Sequence, residues 1–87
     1  MNWRSPLSLK TDISRIVIDE LKLDGVTPET FEGDVDLIEE LGVDSMELTT
    51  IVVKLQDKYS IKIDEDDYPG LTTLNKITIY IEGKISN

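Results

Sequence analysis

Ser45 is the residue whose type and neighbours best fit a chemical role in this chain. It lies in the stretch LGVDSMEL, between Asp44 and Met46, with Glu47 two residues further on. A serine hydroxyl needs a base before it can act as a nucleophile. The chain has no His and no Cys, so the commonest general base, a thiolate and a Cys-type zinc site are all excluded. Any chemistry at Ser45 therefore depends on a partner or a cofactor.

The residues around Ser45 predict that it opens a helix. Asp44 is a good N-cap, and Glu47 three residues later completes the pattern of a capping box. Apolar residues then recur at helical spacing, which predicts a helix from about Ser45 to Tyr59; they are Leu48, Ile51, Val52, Leu55 and Tyr59. The hydroxyl then points outward at the positive end of the helix. An anion attached there, such as a phosphodiester, meets the free N–H groups of the first turn.

Upstream, the pattern predicts one helix followed by a long ordered loop. The first helix has an apolar face formed by Leu9, Ile13, Ile16, Val17 and Leu21. Ser5 and Pro6 suit its start, and Gly25 is its predicted end. Residues 24–43 form the loop, with a short helical turn expected near 36–41. Its apolar residues are expected to pin it to the core; they are Val26, Phe31, Val35, Leu37, Ile38 and Leu41.

Downstream, two more helices are predicted. Ile61 and Ile63 are expected to fill the core from a loop. Residues 64–67 can cap a short third helix, which Pro69-Gly70 should cut short. The last segment also alternates like a strand in ITIYI, but one strand would have no partner. We predict a last helix capped by Thr72 or Thr73, with its inner face formed by Leu74, Ile77, Thr78 and Ile81. The predicted fold is all-α, with four helices, a long first loop and a short third helix.

The charge distribution limits the class of partner. The chain has 87 residues and a net charge of −9, and from Leu23 to Val53 it holds nine Asp or Glu and no Lys or Arg. Nucleic acid and anionic membrane surfaces are excluded as partners, since both need clustered basic residues. A basic protein surface would be attracted. No segment has the length of a membrane span or a signal-peptide core, so we expect a single-domain, monomeric, cytoplasmic protein without membrane insertion.

Taken together, these stretches resemble the acyl carrier protein family. LGVDSMEL resembles its phosphopantetheine attachment motif, in which a Gly and any residue precede Asp-Ser-Leu or Asp-Ser-Met. DVDLIEELG resembles the acidic approach to that site, IVVKLQDKYSIKI the second helix and following loop, and LTTLNKITIYI the last helix. The resemblance covers roughly residues 8–82. It implies a small four-helix bundle in which residues 1–87 form one carrier domain.

The resemblance also implies roles for individual residues. Ser45 would be esterified with 4′-phosphopantetheine from coenzyme A by a separate phosphopantetheinyl transferase, and the arm's thiol would carry acyl groups as thioesters. The chain would then be a carrier and not an enzyme. Acyl-transfer or synthase enzymes with basic docking surfaces would be its further partners. The residues expected to contact partners are Asp44, Met46, Glu47, Val53, Glu39 and Glu40, and Met46 can alternatively contact the pantetheine arm or the core.

Several alternatives stay open at this level. Thr50, Lys54, Asp64 and Pro69-Gly70 depart from the family's usual pattern and favour a specialised lipid or polyketide carrier over housekeeping fatty-acid synthesis. The cargo can equally be a peptidyl or aminoacyl group, for example D-alanyl. Charge alone is also compatible with an acidic helical adaptor that carries nothing, in which Ser45 only starts a helix. No metal site is expected, because the spacing of the acids fails the EF-hand pattern.

Overall fold

The computed structural model describes the backbone from Pro6 to Ser86 and the side chains of residues 9–85. Three α-helices and one 3-10 helix follow in chain order: α1 (Pro6–Leu21), α2 (Ser45–Tyr59), the 3-10 helix (Glu65–Gly70) and α3 (Leu74–Ser86). Within residues 6–86 the extended pairing is limited to one isolated bridge between Asp36 and Thr73. The predicted all-α fold with four helices is therefore confirmed. The predicted cap Ser5 lies outside the described residues.

The core forms where α1 packs against both α2 and α3. Ile13, Ile51, Leu55 and Ile81 have no exposed surface at all. Burying each such side chain contributes about 1.5–3 kcal/mol. The predicted inner face is confirmed for α3 and, except for Tyr59, for α2. Ile16, Leu21 and Tyr59 lie half-buried at the edge of the core.

Helix α1 ends earlier than the sequence predicted. It stops at Leu21, because Lys22 turns the chain with φ of 52°. The N–H of Leu23 then donates to the carbonyl of Ile18 (3.1 Å), and that of Lys22 donates to Asp19 (3.3 Å). This pair of bonds is a Schellman motif, which satisfies the last carbonyls of a helix. Gly25, the predicted end, has φ of 74° and forms a separate turn in the loop.

The loop between α1 and α2 is fastened to the N-terminal end of α3. The N–H of Leu37 donates to the Thr72 carbonyl (2.8 Å), and that of Asn75 donates to the Gly33 carbonyl (3.0 Å). The Asn75 amide also donates to Asp34 Oδ1 (2.7 Å). A Cβ at position 33 would collide with the Asn75 side chain, which would have to move from its bond to Asp34, so glycine favours this close approach.

Two of the six apolar residues predicted to pin the loop do not do so. Phe31 and Leu37 are buried, but Ile38 and Leu41 are 41% and 38% exposed. The expected helical turn is present as a single hydrogen bond, from the Glu40 N–H to the Asp36 carbonyl (2.9 Å). It does not continue, and it rotates Ile38 and Leu41 away from the core.

The third helix is short, as predicted: it is a 3-10 helix of six residues that ends at Gly70, and it includes Pro69 and Gly70 rather than stopping before them. The fixed φ of proline is compatible with 3-10 winding. Ile63 fills the core from the preceding loop, as predicted. The predicted last helix is confirmed as α3. Its cap is Thr73, because Thr73 Oγ1 accepts from the Lys76 N–H (3.1 Å).

Candidate functional site

The start of α2 is closed by a complete capping box, as the sequence predicted. Asp44 Oδ1 accepts from the N–H of Glu47 (2.8 Å), and Glu47 Oε1 accepts from the N–H of Asp44 (3.2 Å). Asp44 itself is extended, with φ of −92° and ψ of 176°. Ser45 is therefore the first helical residue, and its side chain is exposed.

A buried residue just before the cap holds this start in place. Val43 is 3% exposed, and its N–H donates to the carbonyl of Leu37 (2.9 Å). Val43 and Leu48 flank the cap and both belong to the apolar core, which is the arrangement of a hydrophobic staple. Val43 is a positioning residue that the sequence analysis missed. The signal was present, because an apolar residue before the cap and another at the fourth helical position define the staple.

The geometry at Ser45 fits an attached phosphate group. Within residues 6–86, no acceptor receives a hydrogen bond from the N–H groups of Ser45 or Met46. Those donors lie at the positive end of α2, where a phosphodiester is favoured. The carboxylates of Asp44 and Glu47 each accept from a backbone N–H, which offsets part of their repulsion toward an anion. The residues present therefore fit a phosphate ester on the Ser45 oxygen.

One face of α2 carries Met46, Thr49, Thr50 and Val53 at helical spacing. Met46 is 78% exposed and Val53 is 45% exposed. The hydroxyls of Thr49 and Thr50 donate back to the carbonyls of Ser45 (2.8 Å) and Met46 (3.0 Å). The side chains on this face therefore offer methyl groups, and few polar atoms, to an approaching surface. The exposure of Met46 and Val53 agrees with their predicted contact with partner proteins, and it excludes a core role for Met46.

Lys54 lies beside that face but is engaged with α1. Its Nζ lies 2.7 Å from Glu20 Oε1. The hydrogen bond and the charge of Glu20 raise the pKa of Lys54 above its ordinary value. The charge of Lys54, one of the departures from the family's usual pattern, is thus partly neutralised by Glu20 of α1.

The acidic approach to Ser45 is ordered by hydrogen bonds, in agreement with the ordered loop that the sequence predicts. Asp36 Oδ1 accepts from the N–H groups of Ile38 (2.9 Å) and Glu39 (2.8 Å). Glu40 Oε2 accepts from the Asp36 N–H (3.1 Å). Glu39 and Glu40 are both exposed, but Glu40 also stabilises its own turn. The structure thus places Asp44, Ser45, Met46 and Glu47 in one helical turn, Val53 two turns on, and Glu39 and Glu40 in the turn before the cap.

Two negative observations complete the site. Among the side chains of residues 9–85, no group of three Asp or Glu converges on a point where a metal ion could bind. Over the part of the chain that the structure describes, no helix has the length and apolarity needed to cross a membrane.

Comparison with known proteins gives a consistent result. A family model described as a phosphopantetheine attachment site matches residues 11–81. An acyl carrier protein of Chlamydia trachomatis serovar L2 is 37% identical over 76 residues, which are 87% of this chain and 95% of that protein. An acyl carrier protein of Nitratidesulfovibrio vulgaris strain Miyazaki F is 31% identical over 78 residues, covering 90% of this chain and 99% of that protein.

One solved structure supports the fold independently. A solution structure of a protein from Anaplasma phagocytophilum superposes with a TM-score of 0.82 and covers 97% of this chain and 96% of that one. At 24% identity, this likeness shows the shared helical fold alone.

Proposed function

This chain belongs to the acyl carrier protein family, whose prosthetic group is 4′-phosphopantetheine, and from that premise we propose that Ser45 is the attachment residue. The observation that carries the proposal is the exposed Ser45 hydroxyl at the capped start of α2. The prosthetic group supplies, when bound, the thiol that this Cys-free chain lacks. The chain then carries acyl intermediates as thioesters in a fatty-acid, polyketide or another specialised lipid pathway.

Attachment needs a second protein. A phosphoester bond forms between Ser45 Oγ and the pantetheine phosphate of coenzyme A, and the adenosine bisphosphate half leaves. The hydroxyl proton must pass to a base, and this chain has no His or Cys to take it. A phosphopantetheinyl transferase supplies that base. The chain's own contribution is to hold the oxygen exposed, at a fixed helix start, beside unpaired N–H donors.

We further propose two kinds of partner contact on either side of Ser45. Before it, Glu39, Glu40 and Asp44 attract enzymes with basic docking surfaces and speed their encounter. After it, Met46 and Val53 supply apolar contact area that holds the complex. Glu47 contributes by completing the capping box that holds Ser45 at the start of α2. In this proposal residues 1–87 act as one monomeric carrier domain in the cytoplasm, with no catalytic role of its own.

Intact mass spectrometry tests the attachment site. After incubation with a broad-specificity phosphopantetheinyl transferase and coenzyme A, the protein should gain the mass of one phosphopantetheine. Ser45→Ala should abolish the gain, while Thr49→Val, which removes another exposed hydroxyl of α2, should leave it intact. An unchanged wild-type mass, or a gain in Ser45→Ala, would refute the proposal. The first outcome would favour an acidic adaptor without cargo.

A kinetic experiment tests the apolar contact. Val53→Glu should raise the KM for the transferase by about tenfold, equal to about 1.4 kcal/mol, because a charge is then desolvated in the interface. The matched control is Ile79→Glu, which makes the same change at an exposed position on α3 and should leave the KM within about twofold. Equal effects of the two variants would show that α2 is not the contact face.

A further inference from the structure

A second apolar surface lies outside the Ser45 site, under the loop that follows α1. It is an open groove of about 340 Å³. It is lined by Leu23, Val26, Phe31, Val35 and Leu41, of which Phe31 is buried and Leu41 is exposed. Small-molecule pockets usually measure about 300–1,000 Å³. The groove lies at the lower end of this range, so it has room for one or two side chains rather than for a large ligand.

The walls of this groove are fixed by hydrogen bonds. The N–H of Thr27 donates to Thr30 Oγ1 (2.9 Å), and the N–H of Phe31 donates to the Thr27 carbonyl (2.9 Å). Leu23 is held by the Schellman bond to Ile18. An occupant therefore does not have to order the loop, which lowers the entropic cost of binding.

The rim of the groove is acidic. Glu32 lines it and is exposed, and the same loop exposes Asp24, Glu29 and Asp34. Between Leu23 and Val53 the sequence has no Lys or Arg. Lys10 Nζ lies against Gly33 and Lys22 precedes Leu23, so the acids of this loop outnumber the bases beside it. A fatty acid anion or a second copy of this chain, whose net charge is −9, would be repelled. The complementary occupant is an apolar side chain flanked by Lys or Arg.

We propose that this groove is a docking site for a basic partner protein, which inserts one apolar side chain between Leu23, Val26 and Phe31 while its basic residues face Glu32. Leu41 lines the groove and precedes Ser45 by four residues. A partner held here is therefore close to the segment that leads to the serine. Docking does not require an attached arm, so it can be tested apart from the proposed carrier function.

Nuclear magnetic resonance titration of the isotope-labelled protein tests the proposal at an ionic strength of about 0.15 M, where distant charges are screened within about 8 Å. The probe is a short capped peptide with one Phe between Arg and Lys residues. The amide signals of Val26, Phe31, Val35 and Leu41 should shift. Replacing the peptide's Phe by Ala, or Glu32 by Lys in the protein, should each weaken binding by about tenfold.

Matched variants separate this site from general attraction and from carrier function. Glu65→Lys makes the same charge change on the exposed 3-10 helix and should alter affinity by less than about twofold. The Ser45→Ala protein should bind the peptide as tightly as wild type does, whether or not phosphopantetheine can be attached to the wild-type protein. The proposal is overturned if the Ala peptide binds equally well, if Glu32→Lys and Glu65→Lys weaken binding equally, or if the shifts avoid the groove. It is equally overturned if decanoate or self-association produces the same shifts.

Discussion

Two segments of this protein begin with the same acidic spacing and use it differently. Asp44 precedes Glu47 at the start of α2, and Asp64 precedes Asp67 at the start of the 3-10 helix. In the first pair, each side chain accepts from the other residue's backbone. In the second pair, Asp64 makes no side-chain cap, and Asp67 Oδ2 instead accepts from the hydroxyl of Tyr80 on α3 (2.6 Å).

The difference shows that spacing alone does not make a capping box. Glu47 has one methylene more than Asp67, and this length lets it reach back to the N–H of the cap residue. The start of α2 is consequently stabilised by its own residues, whereas the 3-10 helix depends on a bond to a distant helix. The self-contained start is the one that presents Ser45. Its capping box should therefore be insensitive to loss of the Asp67–Tyr80 bond.

The largest expected effect comes from removing the cap of α2. Asp44→Ala should lower the free energy of unfolding by about 1–2 kcal/mol, because the N–H of Glu47 loses its acceptor. It should also slow loading of Ser45 by the transferase, since the first turn frays. The matched control Asp64→Ala should cost less than about 0.5 kcal/mol. Urea unfolding of both variants measures the difference, and equal losses would remove the contrast between the two starts.

The next effect concerns the bond that holds the 3-10 helix. Tyr80→Phe should cost about 1 kcal/mol at neutral pH, as expected for one hydrogen bond. Ser45 loading should remain close to wild type, because the capping box is untouched. A large loss of loading in Tyr80→Phe would show that the two segments are coupled.

The Tyr80 bond also predicts a pH dependence. Burial, followed by the bond to Asp67, raises the pKa of Tyr80 from 10.0 to about 12. The unfolded chain therefore releases this proton first, so the stabilisation is complete below pH 10 and is lost as the pH rises toward 12. The stability difference between wild type and Tyr80→Phe should shrink over that range.

The smallest effect tests the reach of Glu47. Glu47→Gln should leave stability nearly unchanged, because the amide oxygen can still accept from the N–H of Asp44. Glu47→Asp should lose about 0.5 kcal/mol, as the shorter side chain fails to close the box. Thermal unfolding measures both variants. A Glu47→Asp protein as stable as wild type would mean that side-chain length does not explain the contrast.

Sequence patterns predicted the elements whose interactions are local. The bounds of α2, its capping box and the inner face of α3 depend on residues three or four apart, and all were confirmed. Prediction failed where the structure depends on contacts between residues that are far apart in the sequence. Nothing near Asp67 in the chain indicates that its partner is Tyr80, and nothing near Gly33 indicates that Asn75 lies against it. The predicted end of α1 at Gly25 failed because Lys22 already adopts a left-handed conformation. A Schellman motif tolerates a residue other than glycine at that position at some energetic cost.

At the candidate site, too, features set by nearby residues could be predicted, and features set by long-range contacts could not. The type and exposure of Ser45, Met46 and Val53 could be inferred from spacing along one helix. The hydroxyls of Thr49 and Thr50 bond to carbonyls one helical turn earlier, which is a local rotamer choice that the sequence leaves open. The pairing of Lys54 with Glu20 and the groove lined by Phe31 depend on packing that one sequence does not reveal.

The fastening of the first loop at Gly33 has a practical consequence for attaching probes to the protein. Residues added beside Gly33 would force the chain away from α3 and shift the path toward Ser45. Gly25 is exposed, with nothing within 4 Å of the Cβ position, and it precedes the fastened part of the loop. A short epitope or fluorophore-bearing insert between Asp24 and Gly25 can therefore loop into solvent without moving Ser45, although it would separate Leu23 from Val26 in the groove.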